Sequence, residues 1–163
     1  MRQAIESHLA SRQVSRVIYG AIIGLAVLVA IEDHPPSSLV VIGTLIGTAV
    51  AVGLAEFYSD MLGSETRLRR HLRRSELRHV ASDVVAVALG IAFPALFFIP
   101  AAADYIEEDT AFTAAEWTGV GLLGLYGFAA ARLAGERRLS SALRGIAVAA
   151  IGAFLIGLKS LLH

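Results

Sequence analysis

The chain has 163 residues, of which 56% are hydrophobic and only 17% charged, with 14 basic and 14 acidic side chains and no cysteine. Its mean hydropathy of +0.66 excludes an ordinary soluble domain, which carries about 25% charged residues. Without cysteine, the chain offers no disulfide, thiolate metal site or thiol nucleophile. The composition therefore predicts an all-α integral membrane protein.

Five uncharged runs predict five transmembrane helices within a single domain that covers residues 1–163. Two of the runs reach the ~20 residues that a ~30 Å hydrocarbon core requires, and the others approach it with flanking side chains that can extend to the interface. The motif "PPSS" predicts the end of one helix and the cap of the next, and Pro100 predicts the end of the third helix. We expect the spans at residues 15–31, 37–58, 82–103, 113–132 and 142–162.

The distribution of arginines predicts the orientation. They precede the first span or lie around the connections between spans two and three and between spans four and five, whereas the other two connections, "EDHPPSS" and "DYIEEDT", are acidic. The positive-inside rule then gives a cytoplasmic N-terminus and a C-terminus on the opposite side, in the inner membrane of a cell. A cleaved signal peptide is the alternative interpretation of the first span, although "AIEDHPP" contains no small-x-small cleavage site.

The basic loop at residues 62–79 contains "ETRLRRHLRRSELRH", in which leucines one turn apart are surrounded by arginines. This pattern is typical of a short helix that lies in the headgroup layer against anionic lipid. The alternative is that the arginines only fix the topology. Nucleic-acid binding is not expected, because the segment is short and lacks interleaved aromatic residues. The lipid-binding candidates are Arg67, Arg69, Arg70, Arg73 and Arg74.

Acidic residues end the second apolar run and open the third. Glu56 follows a long uncharged stretch, Asp60 lies one helical turn later on the same face, and Asp83 begins the third span from the same side of the membrane. We expect these three carboxylates to act as cation ligands or proton carriers. The alternative is that Glu56 and Asp60 pair with the adjacent loop arginines, because carboxylates at a helix C-terminus oppose the macrodipole.

Three stretches, "GLAEFYSDMLGSE", "ALGIAFPALFFIP" and "LRGIAVAAIGAFLIGLKSLL", together with the order of five spans, resemble the vacuolar iron transporter family. The resemblance runs from about Tyr19 to the end of the chain. It implies a dimeric five-helix exporter that moves Fe²⁺ or Mn²⁺ out of the cytosol against protons, with Glu56 at the position of the family's membrane glutamate. The sequence contains no Ser-His-Asp grouping, phosphate-binding glycine loop or HExxH motif, so we expect neither an enzyme nor a cofactor.

The chain also departs from the family pattern. Ile23 stands where the first helix of the family has an aspartate, and Val52 stands where its second helix has a methionine. The short arginine-rich loop replaces the family's long cytoplasmic insertion. These differences keep two alternatives open, a non-transporting membrane scaffold that retains the fold and a transporter of a different solute.

Pairs of glycines four residues apart lie in the first two spans, Gly20 with Gly24 and Gly43 with Gly47. Small residues at this spacing let membrane helices approach closely. With the family resemblance, they lead us to expect a homodimer that has spans one and two at or near its interface.

Overall fold

The computed structural model describes the backbone of residues 2–32 and 34–162 and the side chains of residues 13–32 and 34–158. This described part is helical and contains no strand, so the predicted all-α fold is confirmed. A 3₁₀ segment, Phe93–Phe97, joins the third and fourth helices. The helices are α1 (Arg2–Ile31), α2 (Ser38–Leu68), α3 (Arg74–Ala92), α4 (Phe98–Ala102), α5 (Glu108–Leu133) and α6 (Arg138–Leu162).

Four helical stretches in the described chain are long and apolar enough to cross a membrane. They are Gln13–Ile31, Ser38–Leu68, Arg74–Ala102 and Arg138–Leu158. The span predicted at residues 113–132 falls on α5, which is not among them. Glutamates, an aspartate and several glycines lower the hydropathy of α5. Four helices thus have the length and hydropathy that a membrane span requires, and the fifth span stays a prediction.

Helix α1 occupies the middle of the arrangement. It packs against α3 on one side and α5 on the other, while α2 flanks α3 and α6 flanks α5. Large apolar side chains such as Leu54, Leu89 and Leu125 point outward from the assembly. Apolar faces this extensive are unusual on a soluble monomer, whereas in a bilayer they face acyl chains.

Glycines bring α1 and α3 into close contact. A Cβ atom at Gly24 would lie 2.8 Å from the carbonyl oxygen of Ile91, and one at Gly90 would lie 2.6 Å from the carbonyl oxygen of Val17. Contacts under 3.0 Å leave no room for a methyl group, and both obstructing atoms belong to the backbone. The two helices can therefore approach this closely only because small residues meet at the crossing.

This packing divides the four glycines that the sequence assigned to a homodimer interface. Gly20 and Gly24 are used for the contact with α3 inside the chain. In contrast, Gly43 and Gly47 of α2 have open space beside them. Only the pair on α2 therefore remains available to a second copy.

The third predicted span changes its helix geometry at Pro94 and not, as expected, at Pro100. Proline lacks an N–H group and its ring clashes with the carbonyl four residues earlier, which here belongs to Gly90. The chain accommodates Pro94 with the 3₁₀ segment. Pro100 lies in the first turn of α4, where a backbone N–H has no helical partner to lose, so helical structure continues to Ala102.

The start of α2 is capped by a residue from a distant part of the chain. Helix α2 begins after "PPS" as the sequence predicts, but the Ser37 side chain makes no capping hydrogen bond. Instead the N–H and hydroxyl groups of Ser38 donate to Oε1 of Glu108 at 2.8 and 2.9 Å. A carboxylate at a helix N-terminus is favoured by the macrodipole. Glu108 therefore ties the start of α5 to the start of α2.

We expect Glu108→Gln to lower the free energy of unfolding by about 1–2 kcal/mol, because it weakens a charged cap on a partly buried N–H group. The measurement is thermal unfolding of the purified protein in detergent. Glu107→Gln is the matched control, since Glu107 is exposed and lies one residue away. An equal loss of stability in both variants would contradict a specific cap.

Candidate functional site

Arg16 on α1 joins the two predicted acidic residues of α2. Its Nη1 atom donates to Oε2 of Glu56 at 2.5 Å, and its Nη2 atom donates to Oδ2 of Asp60 at 2.7 Å. Glu56 and Asp60 are one helical turn apart, so both carboxylates leave α2 on the face that looks toward α1. The planar guanidinium holds its donors in a rigid fork and can therefore serve both carboxylates at once.

The depth of this cluster strengthens its ion pairs. Arg16 lies just before the apolar part of α1, and Glu56 lies where the uncharged run of α2 ends. The three side chains retain only 20% to 32% of their exposure. Charges that are partly removed from water interact more strongly than surface charges do. The cluster therefore marks the boundary between the apolar spans and the arginine-rich ends of the helices.

Helix α3 completes the cluster from the other side. Nε2 of Gln13 on α1 donates to the hydroxyl oxygen of Ser82 at 2.9 Å. The neighbouring Asp83 is close enough to Arg16 to interact with it electrostatically. The arginine-rich ends of α1, α2 and α3 are thus connected by polar side chains, whereas their middle parts meet through apolar residues and glycine.

A polar cavity of about 500 Å³ opens beside the cluster. Its walls come from α1, the end of α2, the connection between α2 and α3, and the start of α3. Side chains of both signs face it, so it suits water and small ions better than an apolar ligand. The charged or titratable lining residues are Arg16, Asp60, Arg67, Glu76, His79 and Asp83.

The structure brings the three predicted acidic candidates to one place. Arg16 holds Glu56 and Asp60 together, and Asp83 lines the same cavity as Asp60. Within the described residues, however, no three His, Asp or Glu side chains are grouped so that they could hold a metal ion. A role for Glu56, Asp60 and Asp83 as metal ligands therefore stays a prediction.

Arg16 is the residue that sequence reasoning missed. The sequence indicated that a cation should compensate Glu56 and Asp60, but the expected source was the adjacent loop. The compensating cation comes instead from α1. The signal was present, because Arg16 is the last charged residue before the first apolar run. Because consecutive membrane helices run in opposite directions, the last charged residue before the first apolar run lies at about the same depth as the first charged residues after the second run, which are Glu56 and Asp60.

Two glutamates fix the connection between α2 and α3, which is only the turn at residues 69–73. Oε1 of Glu65 accepts a hydrogen bond from the N–H of Leu72 at 3.1 Å and lies 3.1 Å from Nδ1 of His71. Arg69 ends α2 in the left-handed region, with φ of 52°. The sequence pattern suggested a separate helix in the headgroup layer, but α2 and α3 simply continue into this segment and leave no length for one.

Glu76 fixes the other half of the turn. Its carboxylate accepts the N–H of Arg73 at 2.7 Å and two hydrogen bonds from the guanidinium of Arg70 at 2.7 and 2.9 Å. These hydrogen bonds raise the pKa of Arg70. Of the five predicted lipid-binding arginines, Arg70 is therefore already engaged by an acidic residue of the same chain.

Helix α5 carries a buried acidic residue that the sequence did not single out as a candidate. Glu116 is 5% exposed. It lies next to the packed face of α5, on which Ala111, Ala115 and Gly119 recur at every fourth position and are buried. That periodicity of small residues was the signal that could have placed Glu116 inside the helix assembly.

Comparison of the chain with protein-family models, with curated protein sequences and with solved structures found no match. The resemblance to vacuolar iron transporters therefore stays a prediction that rests on the short motifs quoted above.

We expect Arg16→Gln to destabilise the protein by about 1–3 kcal/mol. The value is smaller than the 3–5 kcal/mol for a fully buried pair, because these side chains remain partly exposed. Adding Glu56→Gln and Asp60→Asn should restore part of the loss, since the two carboxylates that Arg16 binds are then neutral as well. Thermal unfolding in detergent measures both effects.

The matched control for this series is Arg78→Gln. Arg78 is exposed, and its substitution removes the same charge from the same end of the helices. If Arg16→Gln and Arg78→Gln reduce stability equally, Arg16 does not join α1 to α2. The same conclusion holds if the triple variant is as unstable as the sum of its single substitutions.

Proposed function

We propose that this chain is a transporter-like protein of the inner membrane that takes a small cation from the cytoplasm through the cavity beside Arg16. Export of a divalent metal, Fe²⁺ or Mn²⁺, in exchange for protons is the favoured reaction. The observation that carries the proposal is the Arg16–Glu56–Asp60 cluster, two members of which line a polar cavity. Ionisable side chains within membrane spans are costly and mark functional sites, and Glu56 and Asp60 lie within the spanning stretch Ser38–Leu68.

The charges of the cluster favour a cation. The lining of the cavity carries two arginines, Arg16 and Arg67, and three carboxylates, those of Asp60, Glu76 and Asp83, so its formal net charge is −1 when His79 is neutral. Such an excess of one sign in a cleft with low-dielectric walls raises the local concentration of counter-ions. Carboxylate oxygens are also the side-chain ligands that Mn²⁺ accepts readily.

Arg16 acts in this proposal as a resident cation that competes with the transported one. A metal ion or a proton that reaches Asp60 from the cavity weakens the bond from Asp60 to the Arg16 guanidinium. The guanidinium can then release Glu56, which lies one turn deeper in the membrane. Occupation of the cavity would in this way be linked to the contact between α1 and α2.

We further propose that α5 is the fifth membrane span. Its 26 residues correspond to about 39 Å of helix, enough for a ~30 Å hydrocarbon core. It packs against α1 and α6, both of which contain stretches that are apolar enough to span. A helix between two spanning neighbours needs less apolar surface of its own, because they shield it from lipid.

A homodimer is also part of the proposal, with a second copy packed on α2. Gly43, Gly47, Ala51 and Ala55 recur at every fourth position of this helix, and all four are exposed. A continuous groove of small residues favours close approach of another membrane helix.

Topology reporters distinguish five spans from four. A reporter inserted at Asp109 should lie on the opposite side of the membrane from one inserted at Gly135, because α5 runs between the two positions. Gly135 is suited to insertion, as it lies in an open turn. The reporter at Gly135 should match one placed in the turn at residues 69–73. If the reporters at Asp109 and Gly135 give the same signal, α5 does not cross the membrane.

A specific observation favours a second candidate function, that of a non-transporting membrane scaffold. Arg16 already satisfies both Glu56 and Asp60, and the described part of the chain holds no three-residue group suited to a metal ion. In that case the cluster only fastens α1 to α2.

Uptake into proteoliposomes separates the two candidates. We expect Fe²⁺ or Mn²⁺ to move against a proton gradient in the wild type, and Glu56→Gln to reduce the rate at least tenfold, because it removes the carboxylate that Arg16 releases. Asp60→Asn should reduce the rate less. Glu107→Gln is the control, since it removes an exposed acid at the other end of the helices. A wild type without uptake, or full activity in Glu56→Gln, would support the scaffold.

A further inference from the structure

The turn between α2 and α3 exposes arginines that form no salt bridge with the acidic side chains that the structure describes. Arg69, Arg73 and Arg74 are exposed, and Arg73 interacts with Glu76 through its charge without a salt bridge. The acidic residues nearby are already engaged, because Glu65 accepts the N–H of Leu72 and Glu76 holds Arg70. The surface of the turn therefore carries a net positive charge.

The same hydrogen bonds give the turn a defined shape. Glu65 and Glu76 each accept a backbone N–H from within residues 69–73. The exposed guanidinium groups are thus attached to a fixed backbone and not to a flexible loop. A site of this kind loses less conformational entropy when it binds a ligand.

Two of these arginines occupy positions that are unfavourable for the helix itself. Arg73 is the N-cap residue of α3 and Arg74 is its first residue. Cations at a helix N-terminus oppose the macrodipole. An anion bound beside them would remove this cost.

The length of α2 places the turn at the level of lipid headgroups. Its 31 residues correspond to about 46 Å, which matches the ~40–45 Å thickness of a bilayer with its headgroups. Exposed apolar side chains continue along α2 as far as Leu62 and Leu68. Arginine side chains at the end of such a helix reach the phosphate layer of the cytoplasmic leaflet.

We infer that the α2–α3 turn is a preformed site for the phosphate group of an anionic phospholipid in the adjacent leaflet, with Arg69, Arg73 and Arg74 as its ligands. Arg70 belongs to the framework of the turn and does not bind lipid. The inference is independent of whether the protein transports a cation.

The test is a titration of the purified protein with phosphatidylglycerol in a zwitterionic detergent, with bound lipid counted by native mass spectrometry. Each arginine near an anionic surface contributes roughly a fivefold factor in affinity. Arg73→Gln/Arg74→Gln should therefore weaken phosphatidylglycerol binding about 25-fold, and salt should weaken binding to the wild type.

The matched control is Arg137→Gln/Arg138→Gln, which removes two exposed arginines, one at the end of the turn between α5 and α6 and one at the first residue of α6. This variant should bind phosphatidylglycerol as the wild type does. Both double variants should keep the thermal midpoint of the wild type in phosphatidylcholine, which shows that they fold.

Three results would overturn the inference. Equal weakening in both double variants would mean that the lipid responds to total charge and not to this turn. Equal binding of phosphatidylcholine would mean that the acyl chains are recognised. Competition by millimolar inorganic phosphate would mean that the turn is a site for free phosphate and not for lipid.

Discussion

The ion pairs from Arg16 to Glu56 and Asp60 hold together the end of the molecule where its polar chemistry is concentrated. Helix α1 packs extensively against α3 and α5 but only slightly against α2. The guanidinium therefore supplies a connection that apolar packing does not. Because the three side chains are only partly exposed, separation would leave uncompensated charges near the edge of the hydrocarbon layer, which is costly.

The two ends of the helix assembly are closed by different means. At the arginine-rich end, polar side chains of three helices surround an open cavity. At the other end, apolar residues such as Leu28, Leu45, Phe98 and Phe112 form a continuous core. Glu108 fastens that end by capping α2. An assembly that is open and charged on one side and closely packed on the other is suited to receive a solute from the charged side, as the proposed function requires.

Arginines have three separate roles in this molecule, although they look alike in the sequence. Arg16 compensates carboxylates between helices, and Arg70 fixes the shape of a turn through Glu76. Arg73 and Arg74 remain exposed and available to an anionic partner. The distinction follows from the distance to an acidic residue in the folded chain. A count of basic residues for topology treats all of them as equivalent.

The sequence by itself determined the all-α class, the location of the apolar helices and the candidate acidic residues. A helix that crosses lipid requires a long uncharged run, and a charged residue within or beside such a run is therefore easily recognised. It placed Arg16 at about the depth of Glu56 and Asp60 but could not show that the three side chains meet, since that pairing depends on how α1 rotates and slides against α2. It also could not say that Gly24 contacts α3 while Gly47 faces outward, because both lie in equivalent small-residue pairs. Only tertiary packing decided these points, since the partners are remote in the chain and meet through the geometry of helix crossing.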